Sequence, residues 1–151
     1  MATDRSCSRL IGPVSKVAFQ VILDTNFLAV PAQFGVDIFS EIERVVERRV
    51  EFVLLESTVK EIELKGGLSA GKTEAKVFRI ARELIQRCTV VKVPESLAAM
   101  PVDDQLLEYA VSVKGALATN DRELRMRARE RRVPVLLLRG KKRVALEGSV
   151  F

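Results

Sequence analysis

The chain has 151 residues, 48% hydrophobic and 30% charged, which is enough length and apolar content for one folded domain and excludes an intrinsically disordered chain. It contains no histidine, so Ser-His-Asp and Cys-His catalysis and histidine general-base chemistry are excluded, and any catalysis must use carboxylates, hydroxyls, lysine or a metal. The net charge of +5 is uneven: residues 121–143 hold ten Lys/Arg against three Asp/Glu, while the remainder holds fifteen against seventeen, so the C-terminal third points to a polyanionic partner.

Residues 1–16 read as a loose arm, and residues 17–151 as a single domain. The arm carries Arg5 and Arg9 but no sustained apolar core, which argues against a signal peptide. Residues 17–23 read as a strand. Residues 34–47 carry apolar side chains at 38, 39, 42, 45 and 46, a helical stripe. A short strand is expected at 52–55, then a helix over 58–64 capped by Ser57. A glycine-rich loop spans 65–73. A helix over 74–87 turns Val77, Ile80, Ala81, Leu84 and Ile85 inward. A strand at 89–93 stops at Pro94, and a loop follows to 102. Asp103 is expected to cap a helix running to about 113, ended by Gly115. A short strand at 116–119, a basic helix at 120–132 broken by Pro134, and a strand at 135–138 complete the series. The tail reads as one more strand after a turn at Gly140. Strand and helix alternate, which predicts an α/β fold: a three-layer α/β/α sandwich around a mostly parallel, twisted sheet.

Residues 21–26 read Val-Ile-Leu-Asp-Thr-Asn, a buried-strand signature that stops on an acid. In open α/β sheets ligands bind where strands end, so Asp24 stands where a metal or phosphate would be handled. Asp103 and Asp104 begin a helix, Asp121 follows the strand at 116–119, and Glu61 lies in the helix after the second strand. In this fold class these positions lie at one edge of the sheet. A carboxylate pair at ~4 Å costs about 1 kcal/mol in water and roughly 4 kcal/mol at an effective dielectric of 20. Such a cluster needs a cation or raised pKa values. Oxygen ligands without His or Cys favour Mg²⁺ or Mn²⁺, which can activate water against a phosphodiester. With the basic helix, that combination reads as metal-dependent hydrolysis of a nucleic acid. Each acid taken singly has a plainer role: Asp103 and Asp121 as helix caps, Asp104 in a first turn facing the helix dipole, and Glu61 or its neighbour Glu63 as a surface acid.

As a set, these residues resemble the PIN-domain nucleases. The segments are Asp24-Thr25-Asn26, Glu61 within Val-Lys-Glu-Ile-Glu, Asp103-Asp104-Gln-Leu-Leu and Thr119-Asn-Asp121-Arg-Glu-Leu, spread over residues 17–140. They look most like the archaeal-type branch that matures small-subunit ribosomal RNA, with VapC-type toxins as relatives. The resemblance implies an endoribonuclease acting on ribosomal RNA or its precursor, a cytoplasmic setting and ribosome assembly factors as partners. A homodimer is compatible with the fold by analogy alone. It also implies that Asp24, Asp104 and Asp121 bind the metal, with Asp103 the ambiguous member of its pair. Glu61 would complete the ring of acids and position water, with Glu63 as its alternative. Asn26 and Thr119 would support the acids through hydrogen bonds.

Arg122, Arg125, Arg129 and Arg132 are spaced along one side of the basic helix, suited to phosphate. Lys72 is a further candidate RNA contact. One Tyr, seven Phe and no Trp argue against base stacking as the main binding mode. Residues 66–73 match the P-loop pattern G-x-x-x-x-G-K-[ST], but no buried strand leads directly into them, so a nucleotide-binding role is the minority reading. Cys7 and Cys88 make no disulfide framework and read as reduced thiols, or as one bridge if the source is hyperthermophilic. The alternatives to a processing nuclease are a VapC-type toxin ribonuclease and a non-catalytic RNA-binding or ribosome assembly module.

Overall fold

A computed structural model describes residues 18–31, 35–67, 72–140 and 143–148. Six strands form one sheet: β1 (Phe19–Leu23), β2 (Val50–Leu55), β3 (Thr89–Val91), β4 (Ala116–Ala118), β5 (Val135–Arg139) and β6 (Arg143–Glu147), in the order β3-β2-β1-β4-β5-β6. The first five are parallel and β6 runs antiparallel to β5. The chain moves outward from β1 in one direction and later restarts beside β1 at β4. The β1/β4 pair is therefore the point where strand order reverses, the place where open α/β sheets hold ligands.

The central strands are apolar runs because both of their faces are covered. Val21, Leu23, Phe52, Leu54, Ala116, Ala118 and Leu136 face one core with α1 (Ile38–Val46), where Phe39 meets Phe52 edge-on at 4.6 Å. Ile62 of α2 (Glu56–Gly67) and Ala81 of α3 (Lys72–Ile85) close the same core. Ile22, Val53, Leu55, Leu117, Val135 and Leu137 face a second core under α4 (Val102–Val113) and α5 (Arg122–Glu130), through Leu106, Leu107, Ala110, Leu124 and Ala128. The result is the expected three-layer α/β/α sandwich with a mostly parallel sheet.

Several boundaries differ from the sequence expectation. Helix α2 begins at Glu56, so Ser57 lies inside it rather than capping it, and it continues through Gly66 and Gly67. Helix α3 begins at Lys72. The P-loop-like segment thus spans the end of one helix and the start of another, with 68–71 outside the described residues, and no strand leads into it. Helix α4 begins at Val102 with Pro101 at its cap position, so Asp103 is in its first turn. The left-handed residue that ends α4 is Lys114 (φ 55°). Gly115 serves close packing instead: a Cβ there would lie 2.4 Å from the Gln20 carbonyl oxygen on β1. The arm, Cys7, Lys141, Lys142 and the last three residues lie outside the described residues, as does the side chain of Lys72. Cys88 is a free thiol donating to the Leu84 carbonyl at 3.4 Å, and burial pushes its pKa up to about 12. Among the described residues no helix is long and apolar enough to cross a membrane.

Candidate active site

Asp24 follows β1 directly and is 6% exposed. Its backbone N–H still bonds the Ala118 carbonyl at 3.0 Å, so the β1/β4 ladder carries the acid to the sheet edge beside Thr119. A 3-10 turn (Thr25–Ala29) starts at Asp24, but the Asp24 side chain does not cap it. The carboxylate is therefore not tied up as a helix cap. The fully buried Thr119 hydroxyl donates to Asp24 Oδ2 at 2.7 Å and accepts from the Asp121 N–H at 3.0 Å. Asp121 in turn caps α5, accepting from the Leu124 N–H at 3.0 Å through Oδ1. The capping role and the site role belong to the same residue: the cap fixes the acid at the start of the helix next to Asp24.

On the other side of Asp24, the buried Thr25 hydroxyl donates to Glu61 Oε1 at 2.6 Å. Helix α2 leaves β2 without a connecting loop, so Glu61 stands one and a half turns above the sheet edge. The Glu61 Oε2 atom has no donor among the described residues. Glu63, two positions on, lies on an exposed part of the helix. Nothing in the sequence singled out Thr25 over its neighbours, although it lies inside the Asp-Thr-Asn segment.

Burial holds the Asp24 carboxyl above its ordinary pKa; the Thr119 hydrogen bond lowers it in part, and the charges of Asp103 and Asp121 raise it further. Asp103 is likewise raised, by partial desolvation, then by Asp121 and Glu61, against the opposing charge of Arg127. Asp24, Glu61, Asp103 and Asp121 therefore share one field, although they come from four separate elements. Asp104 faces elsewhere. Its carboxylate pairs with the Arg127 guanidinium on α5. Successive helical residues point about 100° apart, so one helix start presents Asp103 to the cleft and Asp104 to the neighbouring helix. Asn26 is exposed and its side chain makes no hydrogen bond among the described residues.

Gln105 is a further participant, assigned no role from the sequence although it lies inside the Asp103-Asp104-Gln-Leu-Leu segment. It is buried, accepts from the Ser57 hydroxyl at 2.6 Å, and donates to the Met100 carbonyl at 2.9 Å and the Ala98 carbonyl at 3.4 Å. It thereby ties the start of α4, which carries Asp103, to the start of α2, which carries Glu61. Its sequence signals are its place in that segment and a lone amide at the head of a Leu-Leu stripe.

Among the described residues no three carboxylates converge tightly enough to chelate an ion by themselves. The acids stand within each other's repulsive field but short of a closed cage. Oxygen donors, no nitrogen or sulfur, and raised acid pKa values suit a hard divalent cation that keeps several waters, as Mg²⁺ does.

The predicted basic face is partly occupied. Arg125 donates to Glu147 at 3.1 Å and Arg129 pairs with Glu147 at 3.6 Å, while Arg127 and Arg131, outside that face, pair with Asp104 and Glu108. Arg122 and Arg132 have no ion pair among the described residues. Arg132 lies just past the end of α5 with φ 59°.

Residues 21–141 match the model of the family described as PIN like domain. Ribonuclease VapC4 of Methanocaldococcus jannaschii is 30% identical over 135 residues, covering 87% of this chain and 99% of that protein. The solved structure of the PIN domain endonuclease Utp24 has the same fold, with a TM-score of 0.68 at 23% identity, over 86% of this chain and 92% of that one. A domain of a protein of unknown function from Methanocaldococcus jannaschii also has this fold, with a TM-score of 0.58 at 17% identity, over 82% and 93% of the two chains.

Proposed function

Because the chain belongs to the PIN-like domain family, we propose that it is a metal-dependent endoribonuclease whose site is the cleft of Asp24, Glu61, Asp103 and Asp121. The observation that carries this reading is the shared field of these acids at the β1/β4 reversal, with Asp24, Glu61 and Asp121 held by neutral donors. Asp24, Asp103 and Asp121 would hold a Mg²⁺ or Mn²⁺ ion, whose chemistry there is to activate water and offset charge on a phosphodiester. Glu61 keeps Oε2 available to accept a proton from the attacking water, while Thr25 fixes its other oxygen. Thr119 holds the Asp24 carboxylate in one orientation and the Asp121 backbone beside it. Assigning Asp103 in place of Asp104 follows from the Arg127 pairing of the latter.

The resemblance of the acid motifs to the small-subunit maturation branch favours ribosomal RNA or its precursor as substrate. A toxin-type ribonuclease is the second reading, favoured by the 30% identity to Ribonuclease VapC4 along nearly the whole of that protein. The test incubates the purified chain with ribosomal RNA precursor, transfer RNA and an unstructured oligoribonucleotide, in Mn²⁺ or in chelator, beside Asp24→Asn. Cleavage that requires metal and is lost in the variant supports the nuclease. Cleavage that persists in chelator or in Asp24→Asn refutes it. Selective cutting of the precursor separates processing from a toxin activity.

A further inference from the structure

One strongly charged region lies outside the acid cleft. Where α5 passes over the end of the sheet, it leaves a groove against β6. The groove is made of two adjoining cavities. The one nearer the cleft, about 320 Å³, is lined by Arg122, Arg125, Met126, Arg129 and Glu147. The other, about 410 Å³, runs over Pro134 between Arg132 and Gly148 and shares Arg129 and Glu147 with the first. Four arginines thus face one glutamate.

That glutamate is the centre of the cluster. Glu147 has an 18% exposed side chain, and it meets Arg125 at 3.1 Å, Arg129 at 3.6 Å and Arg139 at 3.7 Å. Arg125 reaches it through Nη2 only, and its buried Nε has no acceptor. The pairing therefore leaves donors unused on every guanidinium. Arg129 is 75% exposed at its side chain, so its head is available to a ligand while its position is biased by Glu147. Arg122, Arg125 and Arg129 recur about once per helical turn, starting one residue after Asp121, and Arg129 stands about 12 Å along the helix from that acid. A charge repeating along a groove whose first arginine follows Asp121 in the chain matches a chain of phosphates better than it matches a single anion.

We propose that the groove between α5 and β6 carries a single RNA strand away from the cleft, and that Glu147 is the positioning residue that holds Arg125 and Arg129 toward it. This rests on the ribonuclease reading for the identity of the polyanion. The groove contacts phosphate, so it sets where the strand lies and not which sequence is bound. The role of Glu147 runs against simple charge counting. As a bare negative charge about 7 Å from a phosphate in water, it weakens binding about two- to threefold, so its removal would tighten binding. As an organiser it saves the ordering of two arginines, Arg125 and Arg129, each worth about two- to tenfold. The second effect is larger, so removing this negative charge weakens RNA binding.

The test is fluorescence anisotropy with a labelled 12-nucleotide single-stranded RNA in chelator, where no metal-dependent cleavage can interfere. Glu147→Ala should bind about fivefold more weakly than the unaltered chain, and Glu147→Gln should fall between them. Arg122→Ala/Arg129→Ala should lower affinity and flatten the dependence of log affinity on log salt by about 1.4, for two phosphate contacts on a single strand. Circular dichroism melts identify a variant that fails to fold; should Glu147→Ala fail, Glu147→Gln and the arginine pair carry the test. Glu147 variants that bind as tightly as the unaltered chain, or more tightly, overturn the positioning role. An unchanged salt slope in the arginine variant, or no RNA binding by the unaltered chain, overturns the groove. An acidic peptide of equal charge that binds more tightly than the RNA overturns it in favour of a protein partner. Binding with the predicted variant pattern but no cleavage in any metal leaves the groove standing and refutes the nuclease; cleavage with unaffected groove variants does the reverse.

Discussion

Replacing Asp24 with Asn should make the metal-free protein more stable and the metal-loaded protein relatively less so. In the metal-free state the buried Asp24 carboxylate lies in the field of Asp103 and Asp121, and its pKa is raised. Each repulsion lies between the limits of about 1 kcal/mol in water and about 4 kcal/mol at an effective dielectric of 20 for charges ~4 Å apart, and nearer the lower one at an open cleft. The amide keeps an oxygen for the Thr119 hydroxyl, so the 2.7 Å hydrogen bond survives but loses its charge assistance, a cost of about 1 kcal/mol. The burial penalty, the largest cause of the raised pKa, and two smaller repulsions are relieved against one bond weakened, which leaves a net gain on the order of 1 kcal/mol. For a chain of this length that is about 2–4 °C in Tm. With Mn²⁺ at a hundredfold excess over its Kd, a site that binds only the folded chain gains about 2.7 kcal/mol. The unaltered protein gains that increment and the variant loses most of it. Thermal melts by circular dichroism in chelator and in Mn²⁺ should therefore show the two proteins exchanging order. A variant that melts below the unaltered chain in chelator would refute the reasoning, because the Thr119 bond would then outweigh the repulsion.

Burial, and after it the same field, sets a pH dependence. In chelator Asp24 and Asp103 bind protons more readily folded than unfolded, so their contribution to stability rises as pH falls from 7 through their raised pKa values toward the ordinary 3.8. Asp37, Glu41 and Glu108, whose pKa values are lowered, withdraw their contributions only as pH falls below the ordinary carboxylate range. Urea denaturation between pH 7 and pH 5 should show stability increasing on acidification, with a shallower rise in Asp24→Asn; a steady decrease would contradict it. Asp103→Asn should lower RNA cleavage by at least about a hundredfold, while Asp104→Asn, which only releases Arg127, should lower it less than about tenfold, as read from kcat/KM; the opposite order would restore Asp104 to the cleft. Gly115→Ala should cost about 3 kcal/mol, since the neighbour its Cβ meets is backbone and cannot swing away; an unchanged denaturation midpoint would show that β1 and the end of α4 separate freely.

The parts of the fold legible in the sequence are those decided by burial on both faces. The runs at 21–23, 52–55, 116–118 and 135–137 are apolar without alternation because helices cover each side, and all four lie in strands of the sheet. Helix ends were less legible because tertiary contacts set them. Gly66 and Gly67 cost about 1 kcal/mol each in a helix, which signals a loop, yet α2 runs through both. Gly115 looks like a helix terminator, but the constraint on it is the approach of β1. Order along the chain was enough to bring Asp24, Glu61 and Asp121 to one edge. It could not choose between Asp103 and Asp104, since that choice depends on where Arg127 lies, 23 residues later on another helix.

The distribution of ion pairs explains how a chain with a net charge of +5 keeps an acidic cleft. Among the described residues, the carboxylates in salt bridges are Glu41, Glu56, Asp104, Glu108 and Glu147. None of them is Asp24, Glu61, Asp103 or Asp121. Those four are held, where they are held at all, by hydroxyls and a helix N–H, donors that fix orientation without neutralising charge. A guanidinium in the cleft would stabilise the metal-free fold and compete with a cation for the same oxygens. The nearest one, Arg127, is instead paired with Asp104, and Glu108 and Glu147 engage Arg131, Arg125 and Arg129 farther along α5. Asp104 thus acts on the cleft by holding Arg127 to one side of it, where its charge only partly offsets that of Asp103. Removing Asp104 should therefore lower divalent-ion affinity, measured as the Mn²⁺-induced rise in Tm, even though its carboxylate does not face the ion. A variant with both Asp104→Asn and Arg127→Gln should recover that affinity. Failure of the double variant to recover would show that Asp104 acts on the ion directly.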